Sequence, residues 1–368
     1  MTSAPGAPTP DEATRSHTVR VFAPASVSNV ACGFDALGFA VTGLGDEVVA
    51  ALVPGGERGG TEASREPGVR VRTITGDGGK LPTDAIRNTA AVAARAVLTA
   101  ARGELERRGL GSVVIELDIH KKMPLSSGLG SSAASAVGGA VAAFELLRRT
   151  IDFDLSREDL LECALAGEVV ASGGRHADNV APSLLGGVVL IRALEPEPDL
   201  IELPAVDDWL WCALARPELA VDTLQARQAL GSSVALGDAI RQWANLGALV
   251  AAIYRRDLGL LARALEDRIA EPVRKGAVPG FDQAMDTARS AGALGGSLSG
   301  SGPTLFALCE SEEAAVAAAN AMSAEVSRAA GVQCAAQVST VGAPGARVVE
   351  GPVDDDTGET DAGRPGAS

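Results

Sequence analysis

The reading of this chain turns on MPLSSGLGSSAASAVGGAVAAFELL, residues 123–147. A β-like run, SVVIELDI at 112–119, leads into it. A proline and two serines follow, then Gly128-Leu129-Gly130-Ser131-Ser132, then small residues at helical spacing from Ser131 to Arg149. Such a segment can cradle a phosphate. Glycines let backbone amides converge on an anion, a helix N-terminus adds partial positive charge, and serine hydroxyls donate or ligate. The P-loop pattern GxxxxGK[ST] occurs nowhere in the chain, which excludes that fold. The pattern GxGxx[GA] does fit at Gly128, Gly130 and Ala133. A Rossmann turn, however, follows its strand directly and has an acid about 20 residues on. Here His120 to Ser126 intervene, and the nearest acid, Glu145, lies inside the helical run. Taken alone, the cluster reads equally well as a helix start whose small residues permit close packing.

Outward from this loop, strands and helices mix without strict βαβ alternation, which predicts an α+β fold. TVRVFAP from Thr18, DEVVAALV at 46–53 and VRVRTITG at 69–76 read as strands, the last two separated by a flexible excursion at 54–68. Helices are expected over 88–108, over 131–149 and after Ser156, and a strand from Leu184 as LLGGVVLI. A second α/β unit begins near Pro204: strand WLWCALA, helices within 223–270 and over 279–292, SLSGSGPTLFALC as strand, glycine loop and strand, a helix over 312–330 and a strand over 332–340. The expected organisation is a disordered tail at 1–17, a first domain at 18–200, a second at 201–349 and an acidic disordered tail at 350–368.

Composition narrows the function. A length of 368 residues suits two domains of roughly 150 each, and 46% hydrophobic with 21% charged residues is a globular balance. The 43 glycines cluster without a Gly-X-Y period, which directs attention to backbone-built loops. A formal charge of −15 repels phosphate backbones, so no nucleic-acid platform is expected. The five cysteines are scattered, and there are only three histidines; neither a disulfide framework nor zinc-finger spacing is present. The N-terminus lacks a signal-peptide core, and apolar runs break before about 18 residues. The expectation is a cytoplasmic protein with no membrane partner.

Three segments together carry a family resemblance. PLSSGLGSSAAS resembles the phosphate loop of the GHMP small-molecule kinases, and PASVSNVACGFDALGFAV (24–41) and GGSLSGSGPTLFAL (295–308) are similar to that superfamily's other motifs, in the same order. GRHADNVAPSLLGG (174–187), VDTLQARQAL (221–230) and IAEPVRKGAVPGF (269–281) further resemble the homoserine kinases within it. The resemblance implies the GHMP kinase fold, two α/β domains with the active site between them. The first would be like the second domain of a small-subunit ribosomal protein and the second ferredoxin-like. It also implies ATP-dependent phosphorylation of L-homoserine on the route to threonine, with Mg²⁺, and a homodimer.

Carried over residue by residue, the resemblance assigns ATP to Asn88 and to the loop formed by Pro124, Leu125, Ser126, Ser127, Gly128, Leu129, Gly130, Ser131, Ser132, Ala133, Ala134 and Ser135. Asn88 reads equally as an ordinary polar residue at a helix start. Ser132 and Glu168 are the implied Mg²⁺ ligands; Glu168 lies among Ala164, Leu165, Ala166, Val169, Val170 and Ala171, which removes it from an open polar surface. For a zwitterionic substrate, Arg227 and Arg274 match the carboxylate-binding positions and Asp35 the ammonium-binding one, with Asn29, His176 and Thr223 completing the pocket. The general-base aspartate of other superfamily members falls on Asn179 when counted back from Gly186-Gly187, with Asp178 beside it. An amide takes no proton, so the expectation is that Asn179 orients the hydroxyl. The glycine loop from Gly295 to Gly302 is expected to abut the site, and Lys121 and Lys122 read as phosphate contacts or, the commoner case, as exposed lysines at a strand end. Another GHMP kinase of the mevalonate-pathway type, a catalytically silent nucleotide-binding protein of this fold, and a dinucleotide-dependent oxidoreductase are the competing readings.

Overall fold

The structure, a computed structural model, describes residues 18–54 and 68–350. The expected tails and the 54–68 excursion fall outside these residues apart from their end positions. Two sheets organise the chain. The first has the order β11-β1-β2-β4-β3, with β5 also on β2 and β6 on β5. Its strands are β1 (Thr18–Val30), β2 (Gly33–Pro54), β3 (Gly68–Thr75), β4 (Val113–His120), β5 (Val188–Ala193), β6 (Asp199–Glu202) and β11 (Arg347–Val348). The long β2 pairs with β1 along its length, with β5 over Leu37–Phe39 and with β4 over Glu47–Pro54. In β1, Val19, Val21 and Ala23 alternate inward between half-exposed neighbours, the period-2 pattern that reads as strand from sequence.

Helix α1 (Thr89–Ala100) begins at Asn88, whose Oδ1 accepts from the Ala91 amide. The single helix expected to Arg108 breaks at Ala101 into a second short one, α2 (Arg102–Arg107). The central helix is α3 (Ser131–Ile151), buried along most of its length against β1, β2 and α1. A Cβ on Gly139 would stand 2.2 Å from the Ala90 carbonyl oxygen, so α1 and α3 meet backbone to backbone. Helix α4 (Arg157–Ser172) is capped by Ser156, which accepts from the Asp159 amide, as its sequence predicts. Helix α5 (Ala177–Leu185) corrects one expectation: Leu184 and Leu185, read as strand, finish a helix, and β5 starts only at Val188. A short apolar run carries no period that separates the two states, and Gly186, at φ +81°, ends the helix.

The second sheet is antiparallel in the order β10-β7-β9-β8, from β7 (Trp211–Pro217), β8 (Gly295–Leu298), β9 (Leu305–Cys309) and β10 (Cys334–Thr340). Before β8 come α6 (Thr223–Gln228), α7 (Leu236–Arg255), α8 (Leu258–Ala264), α9 (Glu271–Arg274) and α10 (Phe281–Ser290). Helix α11 (Glu312–Ala330) packs on this sheet and on α10 over Ala213, Ala215, Leu305, Ala307, Met322 and Val326. The chain then returns to the first sheet as β11. The α+β class is as expected, and β6 lies across the 200/201 line drawn from sequence. No helix among the described residues is long and apolar enough to cross a membrane.

Candidate active site

The loop between β4 and α3 meets the loop between β8 and β9, and a cavity opens beside their junction. Its volume is about 290 Å³. The Ser299 hydroxyl donates to the Gly128 carbonyl at 2.6 Å, and the Thr304 hydroxyl to the Ser127 carbonyl at 2.6 Å. A Cβ on Gly128, which sits at φ +79°, would lie 2.6 Å from the carbonyl oxygens of both Gly302 and Ser299. The glycine is therefore required twice, for its backbone angle and for the contact. The expectation that Gly295 to Gly302 abuts the site thus has a physical form: the β8–β9 loop holds the Ser127 and Gly128 carbonyls. Gly130, in the left-handed region, ends the loop, and no side chain caps the first turn of α3. The N-terminus of a 21-residue helix therefore faces the cavity beside Ser131 and Ser132.

Lys121 departs from its reading as an exposed lysine. Its side chain is 1% exposed and pairs with the fully buried carboxylate of Asp46 on β2. It also donates to the Ser131 carbonyl (2.9 Å), Ser131 Oγ (2.7 Å) and Ser135 Oγ (2.9 Å). Ser135 Oγ donates in turn to Asp46 Oδ2 at 2.9 Å. This network pins the first two turns of α3 to the sheet from beneath. Lys122 is partly exposed and pairs with Glu47 at 2.7 Å.

Across the cavity, Glu168 is 3% exposed. Of its apolar neighbours in sequence, Ala164 and Leu165 are buried with it, whereas Val169 and Val170 are exposed. Glu168 Oε1 pairs with His176 Nδ1 at 3.3 Å, and that hydrogen bond raises the His176 pKa above its usual value. Glu168 Oε2 has no hydrogen-bond partner. Five buried side-chain polar atoms among the described residues lack one, and three of them, Ser28 Oγ, Ser127 Oγ and Glu168 Oε2, belong to residues lining this cavity. Unsatisfied groups of this kind concentrated in one cavity mark a place for a polar ligand. An unpaired carboxylate oxygen in one cavity with Ser132 and a phosphate-type loop fits a hard divalent cation. No cluster of three potential His, Cys, Asp or Glu ligands exists among the described residues, so such an ion would share its shell with phosphate and water.

The remaining wall joins both units. Asn29 and Asp35 both stand at positive φ (+54° and +55°), and the Asp35 amide donates to Asn29 Oδ1 at 2.8 Å. Asp178 is 3% exposed and accepts from the Asn29 amide at 3.2 Å. Burial, and secondly the nearby Asp35 carboxylate, push its pKa up to about 6. Asn179 Oδ1 accepts from Ser26 Oγ at 3.1 Å, next to Gly130. Arg227 pairs with Asp35. Arg274 is 7% exposed and donates to the carbonyls of Ala226 (3.4 Å) and Gly300 (3.2 Å); burial lowers its pKa. It does not pair with Glu271, which accepts from Ser297 Oγ instead. Thr223 meets Ser301 at 3.4 Å.

Of the residues singled out from sequence, Asn29, Asp35, Leu125, Ser126, Ser127, Gly128, Gly130, Ser131, Ser132, Ser135, Glu168, His176, Asp178, Asn179, Thr223, Arg227 and Arg274 line this one cavity. Leu129, Ala133 and Ala134 do not; they are in the hydrophobic core, and Pro124 lies outside the lining. Asn88 spends both ends of its amide on the α1 cap and the Pro82 carbonyl. It faces a hollow of about 20 Å³ that shares Leu81, Thr89 and Ser135 with the main cavity. Lys121, Ser28, Ser172 and Ser301 line the cavity without having been singled out as site residues.

Comparison with known proteins places the chain in a family. Residues 88–187 match the family model for the GHMP kinase N-terminal domain, and residues 249–328 the model for the GHMP kinase C-terminal domain. A homoserine kinase of Chlorobium phaeovibrioides is 45% identical over 305 residues, covering 83% of this chain and 91% of that protein. One from Chlorobaculum tepidum is 41% identical, covering 90% and 98%. The crystal structure of a homoserine kinase from Cytophaga hutchinsonii superposes with a TM-score of 0.79 at 43% identity, covering 90% of this chain and 98% of that one.

Proposed function

The chain belongs to the homoserine kinases of the GHMP kinase superfamily, and on that premise we propose how its own residues move a phosphoryl group from ATP to the side-chain hydroxyl of L-homoserine. The observation that carries the reading is one cavity lined by a glycine-serine loop at a helix N-terminus and by an aspartate with two arginines. The first suits a polyphosphate and the second an amino acid. The reaction yields O-phospho-L-homoserine, on the route to threonine.

The loop from Ser126 to Ser132 binds the phosphates through backbone amides and hydroxyls, and Ser127 Oγ gains the partner it otherwise lacks. Glu168 and Ser132 would hold Mg²⁺, which supplies charge neutralisation on the phosphate oxygens when bound. Arg227 and Arg274 take the substrate carboxylate, and Asp35 takes the ammonium. The Arg227–Asp35 pair is then exchanged for two pairs with the zwitterion. Asn29, His176 and Thr223 shape the pocket around them. Asn179, beside Gly130, orients the acceptor hydroxyl toward the loop. Its amide cannot accept a proton, so the hydroxyl proton passes to an oxygen of the transferring phosphoryl group. Positioning and charge neutralisation carry most of such a reaction. The protein acts in the cytoplasm, where ATP and a free amino acid meet.

The test is turnover with Mg·ATP across L-homoserine, L-serine, L-threonine, mevalonate and galactose, followed by ADP release and product identity. Turnover of L-homoserine is expected, and preference for mevalonate or galactose would remove the roles given to both arginines. With Asp178→Asn, kcat stays within about 100-fold of the unsubstituted protein; a larger loss with intact binding would make Asp178 the base.

A further inference from the structure

We propose that Phe34 is a specificity-determining positioning residue, whose ring holds the Arg227 and Arg274 guanidiniums side by side so that together they take one substrate carboxylate. The proposal rests on the reading of this cavity as the homoserine site. Phe34 is the second residue of β2, half-buried between Gly33 and Asp35. The two arginines come from segments far along the chain, α6 and α9, yet both converge on it. The Cζ of Arg227 lies over its ring at 5.2 Å from the centroid, and that of Arg274 at 5.1 Å. Both distances are inside the range at which a ring quadrupole attracts a cation.

Two guanidiniums drawn to one ring repel each other, and the charge of Arg227 acts on Arg274 against the attraction of Asp35, Asp267 and Asp178. Arg274 is steadied by two backbone carbonyls. Arg227 has less. It is half-exposed, and α6, six residues long, buries no side chain of its own. Its carboxylate partner is Asp35, the residue that must turn to the substrate ammonium. When that exchange occurs, the ring is the contact that stays with Arg227 in both states. An aliphatic side chain of similar bulk would fill the space without supplying that attraction.

This separates a positioning role from a packing role in an experiment. Mono-, di- and trifluorinated phenylalanines at position 34 of the full chain keep the shape of the ring while progressively cancelling its negative face. The expected result is a logarithm of KM for L-homoserine that climbs steadily with fluorine number. It should reach roughly five- to thirtyfold at three fluorines, with kcat and the KM for ATP held within about twofold. Phe34→Leu should show the same KM defect, and Phe34→Tyr should restore it. A KM that stays flat across the fluorinated series while Phe34→Leu is impaired would overturn the proposal, since packing alone then accounts for the residue. A fall in kcat that tracks fluorination at constant KM would overturn it too. If the unsubstituted protein does not phosphorylate L-homoserine, the reading beneath the proposal fails first, and that failure is seen before any variant is made.

Discussion

Lys121→Met is the perturbation whose size the structure sets most directly. The ammonium is 1% exposed and its partner Asp46 is 0% exposed, so the substitution removes one half of an ion pair that water does not reach. Methionine fills much the same volume, which leaves the charge as the main variable. Asp46 would keep only the Ser135 hydroxyl and the Lys122 amide as donors. Stranding a buried charge in this way costs about 3–5 kcal/mol, a large share of the roughly 5–15 kcal/mol that holds a typical protein folded. In a thermal scan that is a fall in Tm on the order of 6–20 °C, toward the lower end for a chain of this length. Asp46→Asn strands the lysine instead and should cost a similar amount. The double variant removes both charges and should lie nearer the unsubstituted protein than either single one, the signature of coupling. The network also fixes the first turns of α3, so the double variant should still bind ATP at least tenfold more weakly, because misplaced loop amides meet the phosphates poorly. Calorimetry with urea denaturation reads the stabilities, and titration calorimetry reads ATP binding. A cost below about 1 kcal/mol for Lys121→Met, the worth of an exposed pair, would refute the reasoning.

Three further outcomes follow from the site. Gly128→Ala places a Cβ 2.6 Å from two carbonyl oxygens at φ +79°, so it should lose about 1–3 kcal/mol of stability and most of its ATP affinity; retention of both would show that the clamp on the loop is loose. Glu168→Gln should raise the Mg²⁺ concentration for half-maximal activity by roughly tenfold or more, checked by metal titration at fixed ATP, and an unchanged requirement would remove Glu168 from the metal's shell. Asp178 has a folded pKa of about 6 against a reference of 3.8, so the native state holds the extra proton between those values and stability declines as pH rises through them. The loss amounts to roughly 3 kcal/mol by pH 7, and the advantage of Asp178→Asn over the unsubstituted protein in urea denaturation should grow from pH 4 to 6 and then level off.

The loop was legible in the sequence because its chemistry is local. Glycines, serines and a run of small residues within one short stretch describe both the cradle and the helix behind it. Asn88 was legible as a helix start for the same reason, and its amide is spent there. Lys121 was not legible. A lysine before a loop reads as solvated unless a buried partner is known, and its partner, Asp46, is a strand away in space and far off in the chain. Phe34 was missed likewise, since an aromatic beside glycine reads as core until two distant arginines are seen over it. Leu184 and Leu185 were misread because an apolar run without a period fits a strand end or a helix end equally.

The placement of charge explains how a chain at −15 can take two negatively charged groups, a polyphosphate and the carboxylate of a zwitterion. Its overall field opposes their approach, so attraction must be made locally and kept from cancelling. The loop achieves this with amides and a helix end, which no acidic side chain can titrate away. On the proposed reading, the amino-acid side does it with two arginines that already have partners in the free protein: one on Asp35, the other on carbonyls, and both on one ring. Binding a zwitterion then exchanges partners instead of uncovering bare charge. On the same reading, a ligand bearing only a carboxylate would break the Arg227–Asp35 pair and replace half of it, so the same few residues would discriminate against the many anions around them.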